Sequence, residues 1–216
     1  KVKKEAKAFG ETLGFRFFCL VYLLKIWYYE NINIILIGTK EIIIMATIDV
    51  MISEEEIAKK VEELAKQIEK DFEGEELLVV GILKGASVFV SDLIRKINLD
   101  VNIDFMCVSS YGNSTESSGT VRILKDLDVD IAGKNVLIVE DIIDSGLTLS
   151  NLVKELQIRN PKSLKLCTLL DKPERRKADV QVDYVGFVIE DKFIVGYGID
   201  WAEKYRNLPY IGAVTV

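Results

Sequence analysis

Residues 135–152, NVLIVEDIIDSGLTLSNL, gather the side chains best placed to do chemistry. An apolar run ends at Glu140-Asp141, two hydrophobes follow, and Asp144-Ser145-Gly146-Leu147-Thr148 leads into a helical pattern. Gly146 lets the backbone turn tightly. The N–H groups of residues 145–148 fall at a helix start, where the first turn has no intrahelical partners, and the Ser145 and Thr148 hydroxyls add donors. Such a turn cradles a phosphate. Glu140, Asp141 and Asp144 lie within a few residues of it, a repulsive arrangement unless a divalent metal or sugar hydroxyls intervene. Taken alone, Asp144 or Ser145 is an ordinary N-cap and the acidic pair a solvated strand end. The coincidence of apolar strand, acidic pair and glycine in one short stretch favours a functional site.

The composition narrows the chemistry. There is no histidine in 216 residues, which removes Ser-His and Cys-His dyads and histidine-built zinc sites and leaves Asp, Glu, Lys and Tyr to move protons. Cys19, Cys107 and Cys167 are odd in number and form no CxxC pair, arguing against a disulfide scaffold and for a reducing cytoplasm. With 49% of residues hydrophobic and 29% charged, the chain can bury a core, and disorder and collagen-like repeats are excluded. The length suits one domain with some extra chain. A net charge of −6 hides an asymmetry: residues 1–44 carry seven Lys/Arg and four Asp/Glu, leaving 21 and 30 for the remainder. An acidic body is a poor nucleic-acid surface.

The surrounding elements follow from periodicity. Ser53-Glu54-Glu55-Glu56 is a capping box, and Ile57, Val61, Leu64, Ala65 and Ile68 follow at helical spacing as far as Gly74. LLVVGIL (77–83) has no alternation, as in a strand buried on both faces of a parallel sheet. A helix over about 87–96, strands near 101–109, 135–140 and 164–170, and a helix over about 148–159 complete the pattern. Strands alternating with helices imply a doubly wound α/β sheet. Ligands then sit beyond the carboxyl ends of the strands, in the loops after Leu83, Ser109, Glu140 and Leu170. YGNSTESSG (111–119) reads as a lid or a plain connector. No GxxxxGK[ST] and no GxGxxG after a strand is present, against a P-loop nucleotidase and a dinucleotide fold.

Residues 1–44 read differently: a basic start, an apolar run Phe17–Leu24 closed by Arg16 and Lys25, and no persistent helical or strand periodicity. The apolar run is far short of the roughly 20 residues of a membrane span, and no small-x-small cleavage site follows it. A third reading is a disordered or mistakenly translated leader with the domain running from Met45 to Val216. Lys40-Glu41 can be encoded as a ribosome-binding sequence, three isoleucine codons before Met45.

The stretch VEDIIDSGLTL resembles the phosphoribosyl-pyrophosphate motif of type I phosphoribosyltransferases. GILKGAS (81–87), SSYGNSTESSG (109–119), LLDKPERR (169–176), DYVGFVIEDKFIVGYGID (183–200) and KYRNLP (204–209) are similar to segments of the bacterial hypoxanthine-guanine branch of that family. The resemblance spans about residues 47–213. It implies a mainly parallel twisted sheet flanked by helices, with a small hood from about 45–52 and 171–216. It implies magnesium-dependent salvage of hypoxanthine or guanine with phosphoribosyl pyrophosphate, in a homo-oligomer, dimer or tetramer, that binds neither nucleic acid nor membrane.

It also implies roles. The 5′-phosphate would sit on Ser145, Gly146, Leu147 and Thr148, with Glu140 and Asp141 facing ribose hydroxyls and Mg²⁺. Asp144 would be the general base near purine N7. Lys172 would donate to the 6-oxo group, although an isolated lysine before proline is usually a surface residue. Phe193 would stack on the base, the Ile194 and Asp200 carbonyls would accept the 2-amino group, and the Asp200 carboxylate would hold a second magnesium. Lys84-Gly85 and Arg206 would take pyrophosphate, and Ser110-Tyr111 would ride on the lid. A xanthine- or adenine-preferring relative and a non-catalytic sensor of the same sugar phosphate are the rival readings.

Overall fold

The structure, a computed structural model, describes residues 34–39, 42–110 and 121–215. The chain divides into two units, residues 1–49 with 214–216, and residues 50–213. In the first, strand β1 (Ile34–Thr39) pairs antiparallel with the leading part of β2 (Ile42–Ile52), from Ile34 opposite Thr47 to Thr39 opposite Ile42. The absence of sustained periodicity before residue 45 is corrected here: the isoleucine-rich runs on either side of Lys40-Glu41 pair as strands, as β-branched residues favour.

The second unit is built on a six-stranded sheet in the order β5-β4-β3-β6-β7-β8. Strands β3 (Leu77–Leu83), β4 (Val101–Ser110), β6 (Asn135–Ile143), β7 (Ser163–Asp171) and β8 (Tyr184–Val188) run parallel. Strand β5 (Val121–Lys125) is antiparallel to β4. Helices α1 (Glu54–Asp71) and α2 (Ser87–Ile94) cover one face, with Leu64, Phe89 and Leu93 packed against Val79, Leu137 and Leu169. Helix α3 (Leu147–Gln157) covers the other, with Leu149, Leu152 and Leu156 against Leu78, Val80 and Ile138. Alternate residues of β3 thus enter opposite cores, which is why its sequence has no polar face. Two further strands, β9 (Ile194–Val195) and β10 (Ile211–Thr215), pair with each other antiparallel.

The capping box forms as expected: Glu56 N–H donates to Ser53 Oγ at 3.2 Å and Ser53 N–H to Glu56 Oε2 at 2.8 Å. Strand β6, however, runs past Glu140-Asp141 to Ile143, in register with β7 through Ile143 opposite Asp171. The acidic pair is therefore inside a central strand, not at a solvated end. At the far edge of the sheet, Lys165 Nζ donates to Asp71 Oδ2 at 2.6 Å and to the Tyr184 hydroxyl at 3.1 Å, and Tyr184 donates to Asp71 at 2.7 Å. The cluster ties the end of α1 to β7 and β8. Hydrogen bonds from Lys165 and Tyr184 lower the Asp71 pKa, and the Asp71 bond raises that of Lys165 to about 12.

A depressed carboxylate stabilises the fold above its unfolded pKa and loses that effect as pH falls through the folded one. Asp71→Asn should therefore cost about 1 kcal/mol at pH 7, in keeping with a partly exposed pair. The difference from the parent in thermal melts should close as the buffer is taken below the usual carboxylate range.

Candidate active site

The carboxyl ends of β3, β4 and β6 and the start of α3 enclose a cleft of about 420 Å³, lined among others by Leu83, Ser109, Glu140, Asp144, Ser145 and Thr148. Three of the four loops expected to carry chemistry meet there. At its floor, Gly146 has φ +73°, and a Cβ on it would lie 3.1 Å from Arg176 Nη1 and 3.3 Å from the Ala178 carbonyl. The conformation would strain a side chain, and the space for one is tight. The loop is fastened from below: the Ser145 carbonyl accepts from the N–H groups of Lys177 at 2.9 Å and Ala178 at 3.2 Å. Leu147 N–H donates to Ser145 Oγ at 3.4 Å, so the four free amides expected at this turn are one fewer. Those of Ser145, Gly146 and Thr148 make no hydrogen bond among the described residues.

Asp141 is buried and Glu140 half-buried. Burial, then the neighbouring Asp141 charge, pushes the Glu140 carboxyl well above its usual range, and burial also raises Asp141. Ile142 N–H donates to Asp141 Oδ1 at 2.9 Å, and the Arg206 charge favours ionised Asp141. A Cβ on Gly85 would overlap the Asp141 carboxylate, and one on Gly198 would overlap the Gly85 carbonyl. The Leu83–Lys84 peptide is cis.

Arg206 Nη2 lies 2.7 Å from Asp200 Oδ1, and its Nη1 donates to the Gly198 carbonyl at 2.7 Å. Glu203 Oε2 stands 2.9 Å from Lys84 Nζ and 3.6 Å from Arg206 Nη2, joining two cations through one carboxylate oxygen. Asp200, Glu140 and Asp141 are not brought together as a three-carboxylate metal cluster; none forms among the described residues. The adjacent Glu140–Asp141 pair still fits a divalent cation. Magnesium commonly takes one or two carboxylates and completes its octahedron with water and substrate oxygens.

On the opposite side, Asp144 Oδ1 accepts from Arg175 Nε at 2.9 Å, and Arg175 Nη1 donates to Asp191 Oδ2 at 3.3 Å. Lys172 is 6% exposed, which corrects the surface reading of that residue. Its Nζ donates to the Lys192 carbonyl at 2.6 Å and lies 3.6 Å from Asp191 Oδ1. Phe193 is 53% exposed, an unusual state for a large aromatic, and Trp201 meets its ring edge-on at 5.5 Å. Ile194 is buried opposite Ala213. Ser110 ends β4; Tyr111 and the rest of the candidate lid lie outside the described residues. Arg175, Asp191, Trp201 and Glu203 were not singled out in the sequence; Arg175, Asp191 and Glu203 matter through partners distant along the chain, and Trp201 through a ring contact with Phe193 across a turn. The exception is Arg206–Glu203, whose helical spacing offered a weak signal.

The chain matches the phosphoribosyl transferase domain family over residues 51–201. It belongs to that family. It is 57% identical over 165 residues to the hypoxanthine-guanine phosphoribosyltransferase of Bacillus subtilis, covering 76% of this chain and 92% of that protein. To the hypoxanthine phosphoribosyltransferase of Salmonella typhimurium it is 53% identical over 172 residues, 79% of this chain and 97% of that one. Among solved structures, a hypoxanthine-guanine phosphoribosyltransferase from Bacillus anthracis superposes with a TM-score of 0.75 at 63% identity, covering 77% of this chain and 98% of that one. A hypoxanthine phosphoribosyltransferase from Staphylococcus aureus gives 0.76 at 52%, covering 77% and 91%. The mainly parallel sheet flanked by helices is the fold expected of this family.

Because Gly85 abuts Asp141, Gly85→Ala should act on both. Thermal melts should fall by about 1–3 kcal/mol, as for overpacking, and calorimetric binding of phosphoribosyl pyrophosphate should weaken, while Gly133→Ala, far from the cleft on a surface turn, should spare binding.

Proposed function

We propose that the chain transfers the 5-phosphoribosyl group of phosphoribosyl pyrophosphate to hypoxanthine or guanine, forming IMP or GMP and releasing pyrophosphate. The observation that carries this reading is the Gly146 turn, with open amides, at a cleft that Glu140 and Asp144 also line, with the buried Lys172 joined through its N–H to the Ile143 carbonyl beside Asp144. The substrates are those in the names of relatives more than half identical over most of their length.

In the reaction, a purine nitrogen displaces pyrophosphate at the ribose anomeric carbon through an oxocarbenium-like centre. The N–H groups and hydroxyls of Ser145, Gly146, Leu147 and Thr148 seat the 5′-phosphate, which fixes the sugar. Glu140 and Asp141 face the ribose hydroxyls. Mg²⁺ bound at this pair, with Asp200 as a further site, would supply positive charge to the leaving group. Lys84, Gly85 and Arg206 take the pyrophosphate, Arg206 as a planar permanent cation. Their present partner, Glu203, gives up both cations to that anion.

On the base side, Asp144 receives the purine proton, the role that a chain without histidine must give to another group. Lys172 has three N–H donors. One is committed to the Lys192 carbonyl and one faces Asp191, leaving the third for a 6-oxo oxygen. An adenine amine would meet that donor with another donor and gain nothing. Phe193, braced by Trp201, offers its exposed face to the purine, and the Ile194 and Asp200 carbonyls accept the 2-amino group of guanine. Ser110 and Tyr111 carry the lid.

The reading includes a cytoplasmic location, in keeping with the free thiols of Cys107 and Cys167, and among the described residues no helix is long and apolar enough to cross a membrane. It also includes a homo-oligomer, dimer or tetramer, which light scattering resolves.

A spectrophotometric assay with each of four purines should give product from hypoxanthine and guanine and none from adenine. Asp144→Asn should slow turnover by about 10²–10⁴-fold, the usual worth of a general base, with little change in phosphoribosyl-pyrophosphate binding; equal losses in both would reduce Asp144 to a scaffold residue. Lys172→Met should raise the KM for 6-oxopurines and leave that for the sugar phosphate unchanged.

A further inference from the structure

Between the two groups assigned to the purine, Asp144 and Lys172, the structure carries an ionic bridge that the reaction as described does not use. From Asp144 Oδ1 it passes to Arg175 Nε at 2.9 Å, from Arg175 Nη1 to Asp191 Oδ2 at 3.3 Å, and from Asp191 Oδ1 to Lys172 Nζ at 3.6 Å. Three chain segments meet in it. The backbone joins them as well: Lys172 N–H donates to the Ile143 carbonyl at 3.0 Å, next to Asp144, and Ile189 N–H donates to the Asp171 carbonyl at 2.9 Å.

The segment holding Arg175 is itself preset. Residues Pro173–Arg175 form a single 3-10 turn with proline in its first position, and Arg175 N–H donates to the Lys172 carbonyl at 3.1 Å. Proline has its φ already fixed, so this turn carries little freedom. The guanidinium is planar and reaches two carboxylates at once, which a lysine ammonium at the same position would do with less directional control. Both pairs are about half exposed, and exposed ion pairs add little to stability. Their effect is on where the carboxylate and the ammonium stand.

We infer that Arg175 and Asp191 are positioning residues for the transfer: they set the separation and orientation of the proton acceptor Asp144 and the 6-oxo donor Lys172, so that one purine ring engages both. The inference rests on the proposed roles of those two groups. Arg175 touches the purine-binding groups and not the purine. Misplacing a catalytic group by about 1 Å costs up to about 10²-fold.

The test is a kinetic cycle on the full chain with guanine and phosphoribosyl pyrophosphate, using Arg175→Gln, Asp144→Asn and the double variant, with Arg175→Lys and Asp191→Asn beside them. Arg175→Gln should lower kcat roughly 10- to 100-fold, leave the KM for phosphoribosyl pyrophosphate and the thermal melt at parent values, and recover in part in Arg175→Lys. The double variant should be no slower than Asp144→Asn alone, since Arg175 acts through that carboxylate. Asp191→Asn, which also releases Lys172, should raise the KM for guanine. Parental or faster turnover in Arg175→Gln, with Asp144→Asn slow, would overturn the positioning role and leave the general base standing, as would fully additive losses in the double variant. Parental turnover in Asp144→Asn would remove the general base and this inference with it.

Discussion

Two adjacent carboxyl groups within the central strand β6, Asp141 buried and Glu140 half-buried, are the constraint around which the cleft is arranged. Desolvating a charge is expensive unless hydrogen bonds or opposite charge offset it. Asp141 offsets part of that cost through the Ile142 amide and the Arg206 charge. Sterics follow from the same placement. The Asp141 carboxylate fills the space a side chain at residue 85 would need, and the Gly85 carbonyl in turn fills that at residue 198. One acidic pair thus dictates two glycines in segments far apart in the chain.

The second feature is that the cleft's cations are already held. Lys84 and Arg206 share Glu203, Arg206 also binds Asp200, and Arg175 binds Asp144 and Asp191. These pairs fix where each cation stands, and a cation can turn to another anion only by exchanging the carboxylate that now holds it. The segment after β7 does much of this work. Within a few residues it places Lys172, Arg175 and Arg176 and ties residues 177–178 to the Gly146 turn through the Ser145 carbonyl.

Local patterns were legible in the residues themselves. The capping box before α1, the doubly buried strands β3, β6 and β7 and the glycine turn before α3 each depend on residues within a few positions of one another, and sequence spacing alone encodes them. The short edge strand β8 was not anticipated, having few residues and no sustained alternation. The continuation of β6 past its acidic pair was missed because charged residues usually mark a strand's end; pairing with β7 overrides that preference.

What the amino-acid order determined by itself was the alternation of strands and helices, the glycine turn before α3, and the absence of histidine from any acid-base chemistry. Tertiary structure alone decided that Lys172 is buried, that Asp200 faces Arg206 instead of the acidic pair of β6, and that Arg175 links Asp144 to Asp191. The reason is physical range. Helix caps, turns and strand alternation act over a few residues, whereas ion pairs and steric exclusion act across whatever surfaces the strand order brings within a few ångströms, and that order exists only once the sheet has formed.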